Sequence, residues 1–179
     1  MPTLAERILA IDDALSAIPH AFGGALALAY YAEPRATIDI DLNVFVPAAQ
    51  FADVAAPLVG LGAAADDPSV AALVRRDGQA RVMWDTTPID LFFAYDAFHD
   101  AARAGRRVVP FGDRSIPILG PEHLVVCKAV FNRPRDWVDI DALLEETDLD
   151  AAEVMRWVGR IAGDDDPRYA RVAAVLTRR

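Results

Sequence analysis

The chain has 179 residues, of which 54% are hydrophobic, and a formal net charge of −9. This length and composition suit one domain with its own apolar core. The acidic balance argues against broad electrostatic binding of nucleic acid, because counterion release needs a basic surface. The single cysteine, Cys127, excludes an internal disulfide and a cysteine-rich metal site, which favours a reducing, cytoplasmic location. The longest apolar run, 21–32, is too short to cross a membrane.

The predicted elements form a mixed α/β pattern followed by helices. A capping box, Thr3 with Glu6, starts the first helix, and Pro34 ends the second. In chain order we predict helix 4–17, strand 20–22, helix 24–33, strand 37–46, helix 47–58, loops with one or two strands over 60–85, strand 87–93, helix 95–103, and strands 108–110 and 115–118. From 121 onward the pattern is helical. We therefore expect an α/β (α+β) core with a small mixed β-sheet flanked by helices over 1–120, and a C-terminal helical segment over 121–179.

Two acids lie one residue apart in the strand predicted at 37–46. Alternate strand residues share a face, so Asp39 and Asp41 project to one side. Thr37 and Asn43 lie on the same face, and the opposite face, which begins with Ile38, should enter the core. The two carboxylates would stand roughly 6 to 7 Å apart and would repel each other unless a cation lay between them. A simpler interpretation is that they only solvate the outer face of an edge strand.

A third acid, Asp90, interrupts the apolar strand predicted at 87–93. An ionised carboxylate that is buried without a partner is strongly unfavourable, so Asp90 needs a cation, a hydrogen-bond donor or water. Together with Asp39 and Asp41 it would supply one divalent metal site, or two sites that share those two acids. Carboxylate oxygens favour Mg²⁺ or Mn²⁺.

Two further features suit an anion. The pair Gly23-Gly24 at a helix start would leave backbone N–H groups uncovered for phosphate, although most such pairs are only turns. Lys128 is the only lysine among the 18 basic residues, and it lies on a helix that is apolar on nearly all sides. A buried ammonium needs an anion. That anion would be a triphosphate, or else Asp136 or Asp139 on the next helix.

Together, the Gly-Gly turn, the helix after it, the Asp-x-Asp strand and the third acid on a later strand resemble the polymerase-beta-like nucleotidyltransferase superfamily. The longer pattern looks like its AbiEii-type branch, which occurs in bacterial toxin–antitoxin and phage-defence systems. The segments that carry this likeness are FGGALALAYY…PRATIDIDL, TPIDLF and ILGPEHLVVCK…NRPRDWVDIDALL. They cover roughly residues 20 to 145.

The resemblance implies an activity and a set of site residues. By that likeness, Gly23 and Gly24 would hold the phosphates of an NTP, and the lysine before the RPRD segment would contact them. Asp39, Asp41 and Asp90 would bind Mg²⁺ or Mn²⁺, and Asp90 would also deprotonate the acceptor. The implied reaction is metal-dependent transfer of an NMP from an NTP to a hydroxyl of RNA, protein or a small molecule. A cognate toxin or antitoxin would be a partner.

The chain departs from this pattern at one position. The branch usually has serine or threonine after the glycines, whereas this chain has Ala25, so one hydroxyl contact to the phosphates is missing. This departure and the acidic composition leave a second interpretation, a catalytically inactive nucleotide-binding or toxin-neutralising module of the same fold. A third interpretation is a nucleotidyltransferase that modifies a small molecule, which needs no basic face for RNA.

Overall fold

The computed structural model describes residues 1–178, which form a six-stranded mixed sheet with helices packed against it. The helices are α1 (Leu4–Ala14), α2 (Gly24–Leu28), α3 (Phe51–Gly60), α4 (Pro68–Asp77), α5 (Ala97–Ala104), α6 (Pro121–Phe131), α7 (Pro134–Glu146), α8 (Ala151–Ala162) and α9 (Pro167–Leu176). The strands are β1 (His20–Phe22), β2 (Ile40–Pro47), β3 (Gln79–Trp84), β4 (Thr87–Ala94), β5 (Arg107–Phe111) and β6 (Arg114–Ile118). The predicted α/β fold is confirmed. Over residues 1–178, no helix has the length and apolar character needed to cross a membrane.

The sheet order β3-β4-β2-β1-β6-β5 brings the two acidic strands side by side. Strands β2 and β4 run parallel, and their register pairs Asp41 with Asp90. Residues paired across neighbouring strands project to the same face of a sheet, so these two acids share one side. Strand β3 forms the edge and runs antiparallel to β4, with Arg81 opposite Asp90.

The apolar residues that alternate with the acids fix this register. Each is at most 2% exposed: Ile40, Leu42, Val44, Ile89, Leu91 and Phe93. Burying one such side chain stabilises the fold by about 1.5–3 kcal/mol. A slip of one residue would move the whole apolar set to the acidic face. The core therefore determines on which side of the sheet the carboxylates stand.

The predicted strand at 37–46 starts later than expected, at Ile40, and continues to Pro47. Asp39 therefore lies just before the strand, and Ile38, which was predicted in the core, is 70% exposed. The reason is a local turn in which the Asp39 N–H donates to Thr37 Oγ1 at 3.2 Å. Such a side-chain contact competes with pairing in the sheet.

Two further predictions differ from the structure. The second helix ends at Leu28 and does not continue towards Pro34, because the chain turns there and Tyr31 donates its hydroxyl to Leu119 O at 2.8 Å. The region 60–85, predicted as loops with one or two strands, contains the strand β3 but also the helix α4, which was not predicted. That helix has strong boundary signals: Asp67 caps its N-terminus and Gly78 ends it in a left-handed conformation.

The helices after residue 120 pack mainly on one another. Helix α6 contacts α7, α8 and α9, and it also contacts α2 beside the sheet. The apolar side chains of α6 are buried on several sides, as predicted, including Val125 and Val126. The division of the chain into 1–120 and 121–179 stays a prediction.

Candidate active site

The three predicted acids face the same space, and a cation from the edge strand stands between two of them. Arg81 makes two hydrogen bonds to Asp90, from Nε to Oδ1 and from Nη2 to Oδ2, both 2.7 Å long. Arg81 Nη2 also lies 3.7 Å from Asp39 Oδ2. These contacts raise the pKa of Arg81, the hydrogen bonds to Asp90 most of all. The guanidinium therefore occupies the position of a shared counter-ion.

Asp41 is the member of this group without a close cation. Burial raises the pKa of its carboxyl, and the neighbouring charges of Asp90 and Asp39 raise it further. Lys128 and Arg133 act in the opposite direction and do not cancel the shift. Three carboxylates on one face thus create a negative potential that Arg81 neutralises only in part.

The glycine pair brings the start of α2 against Asp41. Gly24 has a φ of +54°, and a Cβ at this position would stand 1.7 Å from Asp41 Oδ2. Gly23 donates its backbone N–H to Asp41 O at 2.9 Å, so that donor is not free for a phosphate. Helix α2 spans only five residues, and few peptide dipoles add up at its N-terminus. The groups that remain for an anion are the N–H groups of the first turn.

Lys128 is 4% exposed and forms the ion pair that the sequence left open. Its Nζ lies 2.6 Å from Asp139 Oδ2, so Asp139 is the partner and Asp136 is not. Asp139 also accepts hydrogen bonds from Arg35, at 3.1 and 3.3 Å. Burial acts to raise the pKa of Asp139, but the hydrogen bonds from Lys128 and Arg35 outweigh it and hold the pKa below its usual value. Asp136 instead pairs with Arg133 at the start of α7.

A cavity of about 300 Å³ opens between the sheet and α6 and joins these features. Its polar wall contains Gly24, Asp41, Asn43 and Lys128. Its apolar wall is aromatic and aliphatic: Phe92, Tyr95, Leu119, Val126 and Phe131. One predicted phosphate-binding residue, Gly24, one predicted metal ligand, Asp41, and Lys128 therefore border the same cavity, whereas Asp90 borders a neighbouring cleft that also contains Asp41.

Two cations of the site, Arg81 and Arg35, were not predicted from the sequence. The alternately exposed and buried residues of β3 have a local sequence signal for a strand, but the register that places Arg81 opposite Asp90 does not follow from that signal. Arg35 has no comparable local signal, since its contact with Asp139 joins positions 104 residues apart.

The carboxylates fit a hard divalent ion in type but are not arranged around one. Among residues 1–178, no three His, Cys, Asp or Glu side chains are close enough together to hold a metal ion. At this face both oxygens of Asp90 are taken by Arg81. All the candidate donors are carboxylate oxygens, which suit Mg²⁺ or Mn²⁺. The guanidinium of Arg81 already lies between Asp39 and Asp90, where a cation would bridge them. The donor set therefore fits a divalent ion by its chemistry, whereas the spacing of the carboxylates and the contacts of Arg81 do not yet form a coordination shell.

Comparisons with known proteins agree with this fold. The family model described as nucleotidyl transferase AbiEii toxin, type IV TA system, matches residues 7–173. A solution structure of the antibiotic-resistance factor ANT(2'')-Ia is similar, with a TM-score of 0.61 and 19% identity over 98% of this chain and 96% of that chain. A crystal structure of ANT(2'')-Ia with adenylyl-2''-tobramycin gives a TM-score of 0.55 and 15% identity over 99% of both chains. An antigenic nucleotidyltransferase-like protein from Paracoccidioides brasiliensis gives 0.52 and 14%, over 98% of this chain and 87% of that chain. No curated protein sequence matches significantly.

Proposed function

This chain belongs to the AbiEii nucleotidyl transferase toxin family of type IV toxin–antitoxin systems, and on that premise we propose that it transfers an NMP from an NTP to an acceptor hydroxyl, with release of pyrophosphate. The observation that carries the proposal is the position of Asp41, which lines a cavity together with Gly24 and Lys128 and is paired with Asp90 on the neighbouring strand. The acceptor is an RNA, a protein or a small molecule. The family also leads us to propose a cognate antitoxin as a binding partner.

We assign Asp39, Asp41 and Asp90 to Mg²⁺ or Mn²⁺, because their oxygens are the donors that these ions prefer. A bound divalent ion would neutralise the attacking and leaving oxygens of the transfer. Arg81 has to leave Asp90 first, since it uses both carboxylate oxygens. Its side chain is 54% exposed, so it can move into solvent or towards an incoming phosphate without disturbing the core.

Asp90 then acts as the general base. Released from Arg81, one of its oxygens accepts the proton of the acceptor hydroxyl. Asp90 borders a second, open cleft that it shares with Asp41 and Arg133. An acceptor can approach the carboxylates from that side while the NTP occupies the cavity beside α6.

Lys128 and the α2 turn would hold the triphosphate. The ammonium has three N–H donors and gives one to Asp139, which leaves donors for a phosphate. The backbone N–H groups at the start of α2 add neutral donors beside it. They compensate in part for Ala25, which offers no hydroxyl.

A nucleotide-binding or toxin-neutralising module that transfers nothing is the second candidate. Two observations favour it: Ala25 lacks a hydroxyl, and the proposed base, Asp90, is held on both oxygens by Arg81. This function predicts NTP binding without any transfer of label.

The deciding experiment uses each labelled NTP with Mg²⁺ and three acceptor pools: total RNA, total protein and small-molecule extract. The parent is compared with the double variant Asp39→Ala/Asp41→Ala. We expect label in one pool with the parent and none with the variant. Label that survives the double substitution would exclude this site, and NTP binding without label in any pool would favour the non-catalytic module.

A further inference from the structure

Asn43 is a buried polar side chain that none of the roles above uses. It lies on β2, two residues after Asp41 and on the same face, and is 8% exposed. In the part of the chain that the structure describes, residues 1–178, its amide has no hydrogen bond to another protein group. Among residues 1–178, the side-chain nitrogen and oxygen atoms that are fully buried and have no hydrogen bond are the two ring nitrogens of His123. The Asn43 amide is not among them, so it is not fully buried. The Asn43 amide therefore still has access to the cavity, of which it forms part of the wall.

The residues that line the cavity are of three chemical kinds. Asp41 and Lys128 form a charged wall, and the uncharged amide of Asn43 follows Asp41 along β2. The apolar wall includes Phe92 and Phe131, whose ring centroids are 5.6 Å apart. Phe131 is 44% exposed, and the guanidinium of Arg133, which also lines the cavity, lies 5.2 Å from the centre of its ring. The volume of about 300 Å³ lies at the lower limit of ligand pockets, roughly 300–1,000 Å³, and suits a single small ligand.

Charged, neutral polar and aromatic surfaces are also what the three parts of a nucleotide require. We propose that Asn43 binds a ribose hydroxyl of the NTP and makes the site selective for ribonucleotides, with the base against Phe131. This inference rests on the proposed function, because it assumes that an NTP enters the cavity. An amide offers both a donor and an acceptor, which matches a hydroxyl group. Aromatic rings accept bases by stacking with little sequence preference.

The test measures equilibrium binding in Mg²⁺ of ATP, GTP, CTP and UTP, and of their 2′-deoxy and 3′-deoxy counterparts. For the NTP that binds best, we expect the parent to prefer the ribonucleotide over one deoxy form by about tenfold, because a site that hydrogen-bonds a hydroxyl rejects analogues that lack it. In Asn43→Ala the preference should fall to about twofold or less. Asn43→Leu, which nearly keeps the volume of the side chain, is the second variant if the alanine variant is unstable.

Phe131→Leu is the matched control. It should weaken the ribonucleotide and both deoxy forms by a similar factor and leave the preference unchanged. A preference that persists in both Asn43 variants, or is absent from a parent that binds NTP, overturns the assignment and leaves the proposed function standing. A parent that binds no NTP overturns both.

Discussion

Gly24→Ala should destabilise the protein strongly, because position 24 combines a left-handed backbone with a close carboxylate. The new Cβ would lie 1.7 Å from Oδ2 and 2.5 Å from Cγ of Asp41. An L-residue at a φ of +54° costs about 1–2 kcal/mol, and forcing a methyl group into packed surroundings costs about 1–3 kcal/mol more. We expect the free energy of unfolding to fall by about 2–5 kcal/mol, as measured by urea denaturation in metal-free buffer.

Gly112→Ala is the matched control for the backbone part. Gly112 has a similar φ of +63°, and a Cβ there would meet nothing within 4 Å, so this variant should lose only about 1–2 kcal/mol. Adding Asp41→Ala to Gly24→Ala removes the two closest contacts and leaves the Cβ of residue 41 at 3.0 Å. The double variant should then approach the stability of Gly112→Ala. Equal losses in the two single glycine variants would refute the contact between Gly24 and the Asp41 carboxylate.

Three other predictions concern charge. Arg81→Gln should lower the Kd for Mg²⁺ about tenfold in calorimetry, because it frees the Asp90 carboxylate. The control Arg114→Gln breaks the exposed pair with Asp13 and should leave this Kd unchanged. Equal Kd values for Arg81→Gln and the parent would exclude competition between Arg81 and the metal. Lys128→Met should lose about 1–3 kcal/mol in urea denaturation, because the buried Asp139 carboxylate keeps Arg35 as a partner but loses its ammonium partner. Adding Asp139→Leu should recover part of that loss, and strictly additive losses would contradict the coupling. His123 is buried and its pKa is lowered by burial, so the unfolded chain binds its proton first. The free energy of unfolding should fall as pH drops below about 6.5, and His123→Leu should flatten that slope; parallel slopes would argue against it.

The acidic face of the sheet could be predicted because the alternation of residues within each strand agrees with the way in which the core buries the apolar ones. The apolar residues of β2 and β4 alternate with the acids, and their burial admits only one register. Lys128 was predictable for a similar reason, since a single cation on an apolar helix requires an anion nearby. Its choice of Asp139 over Asp136 was not predictable, because it depends on how α7 crosses α6.

The late start of β2 shows where such patterns fail. The alternation of apolar and polar residues extends back to Ile38, yet Ile38 is exposed, because Thr37 turns the backbone before the sheet begins. At the beginning of β2, one hydrogen bond to the Thr37 hydroxyl is enough to keep the backbone out of the sheet, because the first residues of a strand have few pairing partners to lose. Periodicity therefore predicts the middle of the strand better than its ends.

The position of Arg81 depends on a contact from helix α1, which is distant in sequence. The hairpin between β3 and β4 turns at Asp85, which has a φ of +52° and lacks the glycine that usually marks such turns. Arg7 of α1, 2% exposed, holds this turn with hydrogen bonds to Trp84 O at 2.9 Å and to Asp85 Oδ2 at 2.8 Å. The turn sets the register that places Arg81 opposite Asp90. The acids of the site thus follow from local sequence, whereas the cation that faces them depends on a residue more than 70 positions away.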